Sequence, residues 1–470
     1  MTQASDSAAT YQDWRALVEK TLKGESIESL NRTTAEGLPI APLYDADAGP
    51  HARFAGRPVN ADRPWDLRVG INHPDPVLAN RDLLKDLEGG AASSIIAIDP
   101  TGKNGVAIGS AAGLAETLAN VVLEFAPVGL DAGFLGPQSA DWLAAVAKGS
   151  PLAKLNFHMD PLSALAEGGS SPGPLEAHLV SGATVARRLA DIHPKAGLFL
   201  ASGRVVHEAG GGEAAELAFA AAAAVTYAKA LVQAGLSMDQ AWGGIVLGLS
   251  ADADYFATLA KLRAARMIWD RLTAACGVSL PAQIEVRSSR RMLTAQDPWT
   301  NMLRLTAAGV GAALGGADAV HLGCFTDALG RPTAFARRQS RNAQLVLMEE
   351  AHLGRVTDPG AGSGYVEALT DEIARAAWAR FQTIEAAGGL AEALAKGLIA
   401  KDIATTMAAR PDQPRIVGVT AFPPTGQDPV DVDTPVIRPV EAPLARLPGP
   451  DSQCQPLAPI RLSQAYEGAK

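Results

Sequence analysis

The sequence predicts a (β/α)8 TIM barrel, an α/β fold, carrying an N-terminal extension and a proline-rich C-terminal tail. Two observations predict it. Eight short apolar runs alternate with eight helix-like stretches between about Asp66 and Ala351; such alternation gives a parallel sheet, and eight repeats are enough to close one. The runs are also rich in Val, Ile and Leu at consecutive positions, as in Ile95-Ile96-Ala97-Ile98, which suits strands covered on both faces.

The expected order is an extension over residues 1–60, the barrel over 61–408 and the tail over 409–470. In the extension, Tyr11–Leu22 has helical spacing of Trp14, Leu17, Val18 and Leu22, while Asn31–Asp47 reads as loop, with Pro39 and Pro42. The strand runs are Asp66–Asn72, Ser93–Asp99, Pro127–Gly133, Ala153–Met159, Ala196–Ser202, Gly243–Ser250, Ala282–Ser289 and Ala317–Cys324. Between them, one helix begins near Glu213 and ends at Gly235. Ser250-Ala251-Asp252 opens another, with Phe256, Leu259, Ala260, Leu262 and Ala264 as its apolar stripe. Asp297-Pro298 starts a third. Two helices follow the barrel, Thr370–Ala387, ended by Gly388-Gly389, and Leu390–Ala408. Residues 411–470 hold 12 of the 31 prolines and show no helical period, so the tail reads as extended.

A chain of 470 residues with net charge -9 and pI near 5.5 lacks the clustered Lys and Arg that a nucleic acid demands. Its three cysteines, Cys276, Cys324 and Cys454, have no metal-ligand spacing and fit a reducing compartment. The first residues lack a basic start followed by an apolar run, and Glu216 interrupts the Ala-rich Ala214–Ala224 stretch. The expectation is a cytoplasmic protein with no membrane and no nucleic-acid partner.

In such a barrel, chemistry lies at the C-terminal strand ends. The residues there are Asn72-His73, Asp99, His158-Met159-Asp160, Ser202-Gly203-Arg204 through His207-Glu208-Ala209-Gly210, Ser250, and Arg287-Ser288-Ser289-Arg290. A His beside carboxylates can serve acid–base work, though polar residues occur at most strand ends by chance. Gly360-Ala361-Gly362-Ser363-Gly364 follows Asp358-Pro359 rather than a buried strand and reads as a turn. Asp191-Ile192-His193 reads as a helix end, because Gly197 falls one position too late for the cobalamin pattern D-x-H-x-x-G. Cys324 near His321 reads as packing rather than metal.

Several strings resemble the barrel of methylmalonyl-CoA mutase and related acyl-CoA mutases. They are Leu262-Arg263-Ala264-Ala265-Arg266 before Trp269, Leu293-Thr294-Ala295-Gln296-Asp297-Pro298, Arg341-Asn342-Ala343-Gln344, and Val356-Thr357-Asp358-Pro359 through Ser363-Gly364-Tyr365-Val366-Glu367. Glu36-Gly37, Pro42-Leu43-Tyr44 and Arg63-Pro64-Trp65 fit as well, so the match runs in order over about residues 30–400. The resemblance implies a barrel that acyl-CoA threads in catalytic members, with adenosylcobalamin carried against its mouth by a separate C-terminal domain. The family reaction interconverts methylmalonyl-CoA and succinyl-CoA.

The departures fall on the substrate and cofactor face. Where catalytic members read Gly-Tyr-His, this chain reads Gly203-Arg204-Val205, with His207 shifted by two positions. Thr-Ser-Gly-Trp is replaced by Ser288-Ser289-Arg290-Arg291, and Pro100-Thr101-Gly102-Lys103-Asn104 stands in for a longer Asp/His-rich stretch. The aromatic loop and a D-x-H-x-x-G domain after the barrel are not found in the sequence. The pattern is similar to the small (beta) subunit of heterodimeric mutases, whose His-x-Ala-Gly string is matched by His207-Glu208-Ala209-Gly210. The resemblance therefore implies a non-catalytic chain binding no cofactor or metal, paired in a heterodimer with a large subunit that holds adenosylcobalamin and the acyl-CoA. The alternative is the substrate-binding subunit of a split acyl-CoA mutase, with cobalamin on a separate chain. In that case His207 and Arg204 would be catalytic and Arg287 and Arg290 would bind substrate. An open axial channel favours the alternative; bulky side chains filling the barrel favour the accessory subunit.

Overall fold

A computed structural model describes residues 10–45, 63–426 and 428–468. The expected boundary between extension and barrel lies outside these residues. Eight parallel strands close into a barrel: β1 (Asp66–Ile71), β2 (Ser93–Ala97), β3 (Val128–Asp131), β4 (Leu155–Met159), β5 (Gly197–Ser202), β6 (Ile245–Ala251), β7 (Ile284–Ser288) and β8 (Ala319–His321). Closure comes from β8 pairing with β1, Ala319 opposite Asp66 and Val320 opposite Leu67. Seven of the expected runs contain the observed strand. The sixth strand runs one residue further, to Ala251.

That extra residue corrects a helix start. Ser250 and Ala251 belong to β6, and the next helix is Tyr255–Ala275. Its cap is Asp254, whose side chain accepts from the Ala257 amide. The helix after the barrel also begins earlier than its apolar spacing indicates, at Gly364 rather than Thr370. The last predicted helix is broken into Leu390–Ala395 and Leu398–Ala408. Gly397 adopts a left-handed φ of 70° at the break, a conformation that ends a helix cheaply only at glycine. Asp297-Pro298 opens a 3-10 turn that leads into the Asn301–Leu314 helix.

The Glu213–Gln233 helix organises the core. It is long and apolar enough to cross a membrane by length and composition alone, yet most of it is buried within the fold. A helix apolar on all sides belongs in a core. One side packs on β5 and β6 and the other against Gly364–Ala386, so this helix lies between barrel and outer layer. Ala220–Ala224 allow the close approach. The N-terminal extension caps it: the Glu36 carboxylate accepts from the Ala214 and Ala215 amides at 2.9 and 3.0 Å, where the helix dipole favours negative charge. Tyr11–Thr21, by contrast, is a helix capped by Thr10 with no buried residue.

The strings that carry the family resemblance prove to be scaffold ties. Arg263 donates to Asp358 at 3.0 Å and to Glu367 and Thr370 at 2.9 Å, fixing the turn before Gly364 to the barrel's outer helix. Arg341 donates to the Gly89 carbonyl at 2.8 Å, and Gln344 accepts from the Trp65 indole at 3.1 Å.

The tail is extended and circles the C-terminal face. Val432–Asp433 pairs antiparallel with Arg331–Pro332 after β8. Then Val440 donates to the Pro100 carbonyl after β2, Leu447 to Pro172 and Leu457 to Ala166 after β4, Ile460 to Glu208 after β5, and Leu462 to Arg291 after β7, all at 2.8–2.9 Å. Glycine receives it where the chains touch. A Cβ on Gly109 would stand 1.9 Å from the Glu441 carbonyl oxygen, and one on Gly173 2.4 Å from that of Leu447.

Candidate functional site: the barrel mouth

The strand ends open into a cavity of about 840 Å3. Alternate strand residues point inward, so Ile95, Ala97, Asp131, Leu200, Ser202 and Arg287 line it, joined by Leu457 and Pro459 of the tail. Two imidazoles also reach in. His158 adopts a left-handed φ of 48° at a register shift between β4 and β5. His321 ends β8, beside a β1 position that must be glycine: a Cβ on Gly70 would lie 2.6 Å from its ring.

Below the cavity the lumen is filled by charge. Arg68 of β1 donates to Glu285 of β7, to Ser93 of β2 and to Asp66, each at 2.7 Å. Arg68 is 6% exposed and Glu285 1%. Glu285 also accepts from Arg287 at 3.0 Å and lies 3.6 Å from Arg204, while Arg287 donates to Asp131 at 2.6 Å. Burial alone would raise the Glu285 carboxyl, but Arg287, His158, Arg68 and Arg204 more than reverse this and hold it well below the usual range. Burial, with the three guanidiniums, pushes His158 down to about 4 against the pull of Glu285. His321 falls to about 3, again through burial first. Both rings are neutral near pH 7. Burial raises Asp160 to about 6, against hydrogen bonds from Tyr227 and Ser163.

The structure brings Arg204, Arg287 and Arg290 together on this cavity and leaves His207 outside it. Arg290 is exposed at the rim, its amide donating to Glu208 at 3.1 Å. His207 is fully buried behind β5 and β6, with Nδ1 3.2 Å from Glu216 and Nε2 3.3 Å from Asp252. Lys261 reaches the same Glu216 carboxylate at 2.5 Å, and Arg291 binds the His207 carbonyl at 2.9 Å and Asp252 at 3.0 Å. This is a closed cluster linking the strand-5 loop to its neighbours.

The remaining strand-end residues are local ties. Asp99 accepts from the Thr101 and Asn104 amides at 2.9 and 2.8 Å. His73 is 3.7 Å from Asp433 of the tail. Ser288 accepts from the Gly323 amide at 2.7 Å, and the Ser250 amide donates to Glu216. His193 terminates the Leu175–Ile192 helix, and Gly360–Gly362 is a turn, with Gly364 already the first residue of the helix that follows. Cys324 is buried, and among the described residues no cluster of His, Cys, Asp or Glu is placed to hold a metal ion.

Sequence reasoning missed Arg68, Glu285 and Asp131. The signal was present: Asp66-Leu67-Arg68 and Glu285-Val286-Arg287 place charges at period two inside runs expected to be apolar on both faces. That spacing puts them all on the lumen side.

The family model for methylmalonyl-CoA mutase matches residues 59–442. The chain is 37% identical over 98% of its length to the methylmalonyl-CoA mutase small subunit of Streptomyces virginiae, spanning 75% of that protein. It is 34% identical over 82% of its length to the methylmalonyl-CoA mutase small subunit of Propionibacterium freudenreichii subsp. shermanii, spanning 63% of it. With the methylmalonyl-CoA mutase of Cereibacter sphaeroides it shares 31% identity over 92% of its length and 67% of that protein. A closed parallel barrel, tied by the strings that carry the resemblance and matched over most of its length, belongs to the methylmalonyl-CoA mutase family of isomerases.

Proposed function

We propose that this chain is the small, non-catalytic subunit of a heterodimeric, adenosylcobalamin-dependent methylmalonyl-CoA mutase, and that the large subunit holds both the cofactor and the acyl-CoA. The reaction it supports would be the interconversion of methylmalonyl-CoA and succinyl-CoA. The relatives named as small subunits support the pairing. The observation that carries the reading is the filled lumen. An acyl-CoA threaded along the barrel axis would have to displace the desolvated Arg68–Glu285 pair and its links to Ser93 and Asp66. Breaking such a pair costs about 3–5 kcal/mol.

The mouth does not fit a corrin ring. A flat macrocycle needs an exposed rim, and here the rim loops at Pro100, Ala166, Pro172, Glu208 and Arg291 are hydrogen-bonded to the chain's own tail. No chemical step is therefore assigned to cobalamin on this chain. The free thiols, Cys276, Cys324 and Cys454, support a cytoplasmic setting.

The test is purification of the tagged chain from its native cells, with cobalamin and mutase assays on the chain alone and on whatever co-elutes. A larger cobalamin-bearing subunit at one-to-one, with activity in the pair and none in this chain, is the expected result. Co-elution of a small cobalamin chain, with turnover lost in Arg204→Gln, would overturn it and make this the substrate-binding subunit.

A further inference from the structure

The cavity holds polar groups that the fold does not satisfy. Among the described residues, Arg204 Nη1, Arg287 Nη2, both His158 nitrogens and His321 Nδ1 are buried without a hydrogen-bond partner, and all four residues line the cavity. Buried polar atoms are ordinarily paired, and an unpaired one costs free energy. The charges are also unevenly shared. Arg68 and Arg287 each have two carboxylates within 3.0 Å. Arg204 has none closer than 3.6 Å, its Nε being bonded to the Ser202 hydroxyl at 3.1 Å. Three more acids face it across the cavity: Asp131, bonded to Arg287 at 2.6 Å, Asp160, engaged by the Tyr227 hydroxyl at 2.5 Å, and Glu167. Arg204 thus donates no hydrogen bond to a carboxylate, and its Nη1 faces the cavity unpaired.

Between these charges the walls carry the apolar side chains of Ile95 and Leu200. We infer that this cavity is a binding site for a free short-chain carboxylate, its carboxyl group held by Arg204 and Arg287 and its alkyl part lying against Ile95 and Leu200. Guanidinium planes suit carboxylates bidentately. The neutral imidazoles of His158 and His321 supply one donor and one acceptor each, which a second polar group on the ligand can meet. The blind floor sets the class. With the lumen filled below, the site takes a free acid rather than the thioester of a long carrier. The inference stands on the cavity alone and does not depend on the pairing proposed above.

The experiment is isothermal titration of butyrate, glutarate, inorganic phosphate and butyryl-CoA into the full chain, in whatever complex it is purified, in chloride-free buffer. It is repeated on Arg204→Gln and on Ala97→Leu, which fills the cavity from β2 and leaves every charged side chain in place. We expect saturable binding of butyrate or glutarate that weakens at least about ten-fold in Arg204→Gln and is lost in Ala97→Leu. If Arg204→Gln fails to fold, Ala97→Leu still decides. Absence of saturable binding, phosphate binding in place of both acids, affinity unchanged in Ala97→Leu, or butyryl-CoA binding tighter than butyrate would each overturn the inference.

Discussion

At Glu285 a single carboxylate lies within 3.6 Å of three guanidinium groups, and its contribution can be separated from what its loss exposes. Glu285→Gln keeps the shape and removes the charge, leaving Arg68 and Arg204 buried with too little compensation. We expect a loss of about 3–5 kcal/mol in unfolding free energy, measured by urea denaturation. The double variant Arg68→Met/Glu285→Leu removes both ends of the pair, so its cost should be well below the sum of the two single variants. Strict additivity would show that the two side chains do not act as a unit.

Among the elements, the tail makes the clearest prediction. Gly109 lies on the barrel side of a contact in which a Cβ would meet the Glu441 carbonyl oxygen at 1.9 Å, and its own φ is not in the left-handed region. Gly109→Ala should therefore lift the tail without straining the barrel. Limited proteolysis should cut residues 428–468 several-fold faster, with the thermal midpoint of the barrel nearly unchanged. The N-terminal extension offers a second case. Glu36 caps two amides of the core helix, so Glu36→Ala should cost about 1–2 kcal/mol by denaturant unfolding. A variant as stable as the parent would mean that water replaces the carboxylate freely.

For the whole molecule, the buried imidazoles set a pH dependence. His158 falls from its ordinary value to about 4 in the folded chain. Between pH 6.5 and 4 the unfolded chain takes up a proton at this position and the folded chain does not, so stability falls as pH falls. His321, lowered to about 3, acts in the same direction. Asp160, raised to about 6, acts in the opposite one, because there the folded chain binds the extra proton. His158→Asn suits the left-handed backbone at this position and removes one titration. Relative to the variant, the parent should lose on the order of 3 kcal/mol between pH 7 and pH 4, read from paired urea unfolding curves. A constant difference across that range would show that His158 titrates alike in the folded and unfolded chain.

The sequence by itself determined the barrel, its strand positions and its family. Continuous apolar runs at βα spacing have few ways to bury both faces, and strings such as Arg263 with Asp358 and Glu367 are tied to particular places in the scaffold. It also placed Arg204, Arg287 and Arg290 at one end of the barrel, because strand parity and direction fix which residues reach the mouth. Tertiary structure decided the rest. The fate of His207 depended on Glu216 and Asp252, contributed by two other elements, and nothing local to the Val205–Gly210 segment reveals them. The filled lumen likewise required knowing that the barrel closes through β8, which brings β1 and β7 to its two sides, since Arg68 and Glu285 are 217 positions apart. The tail's course over the mouth rests on backbone hydrogen bonds, which carry no side-chain signature and so leave no pattern in the sequence.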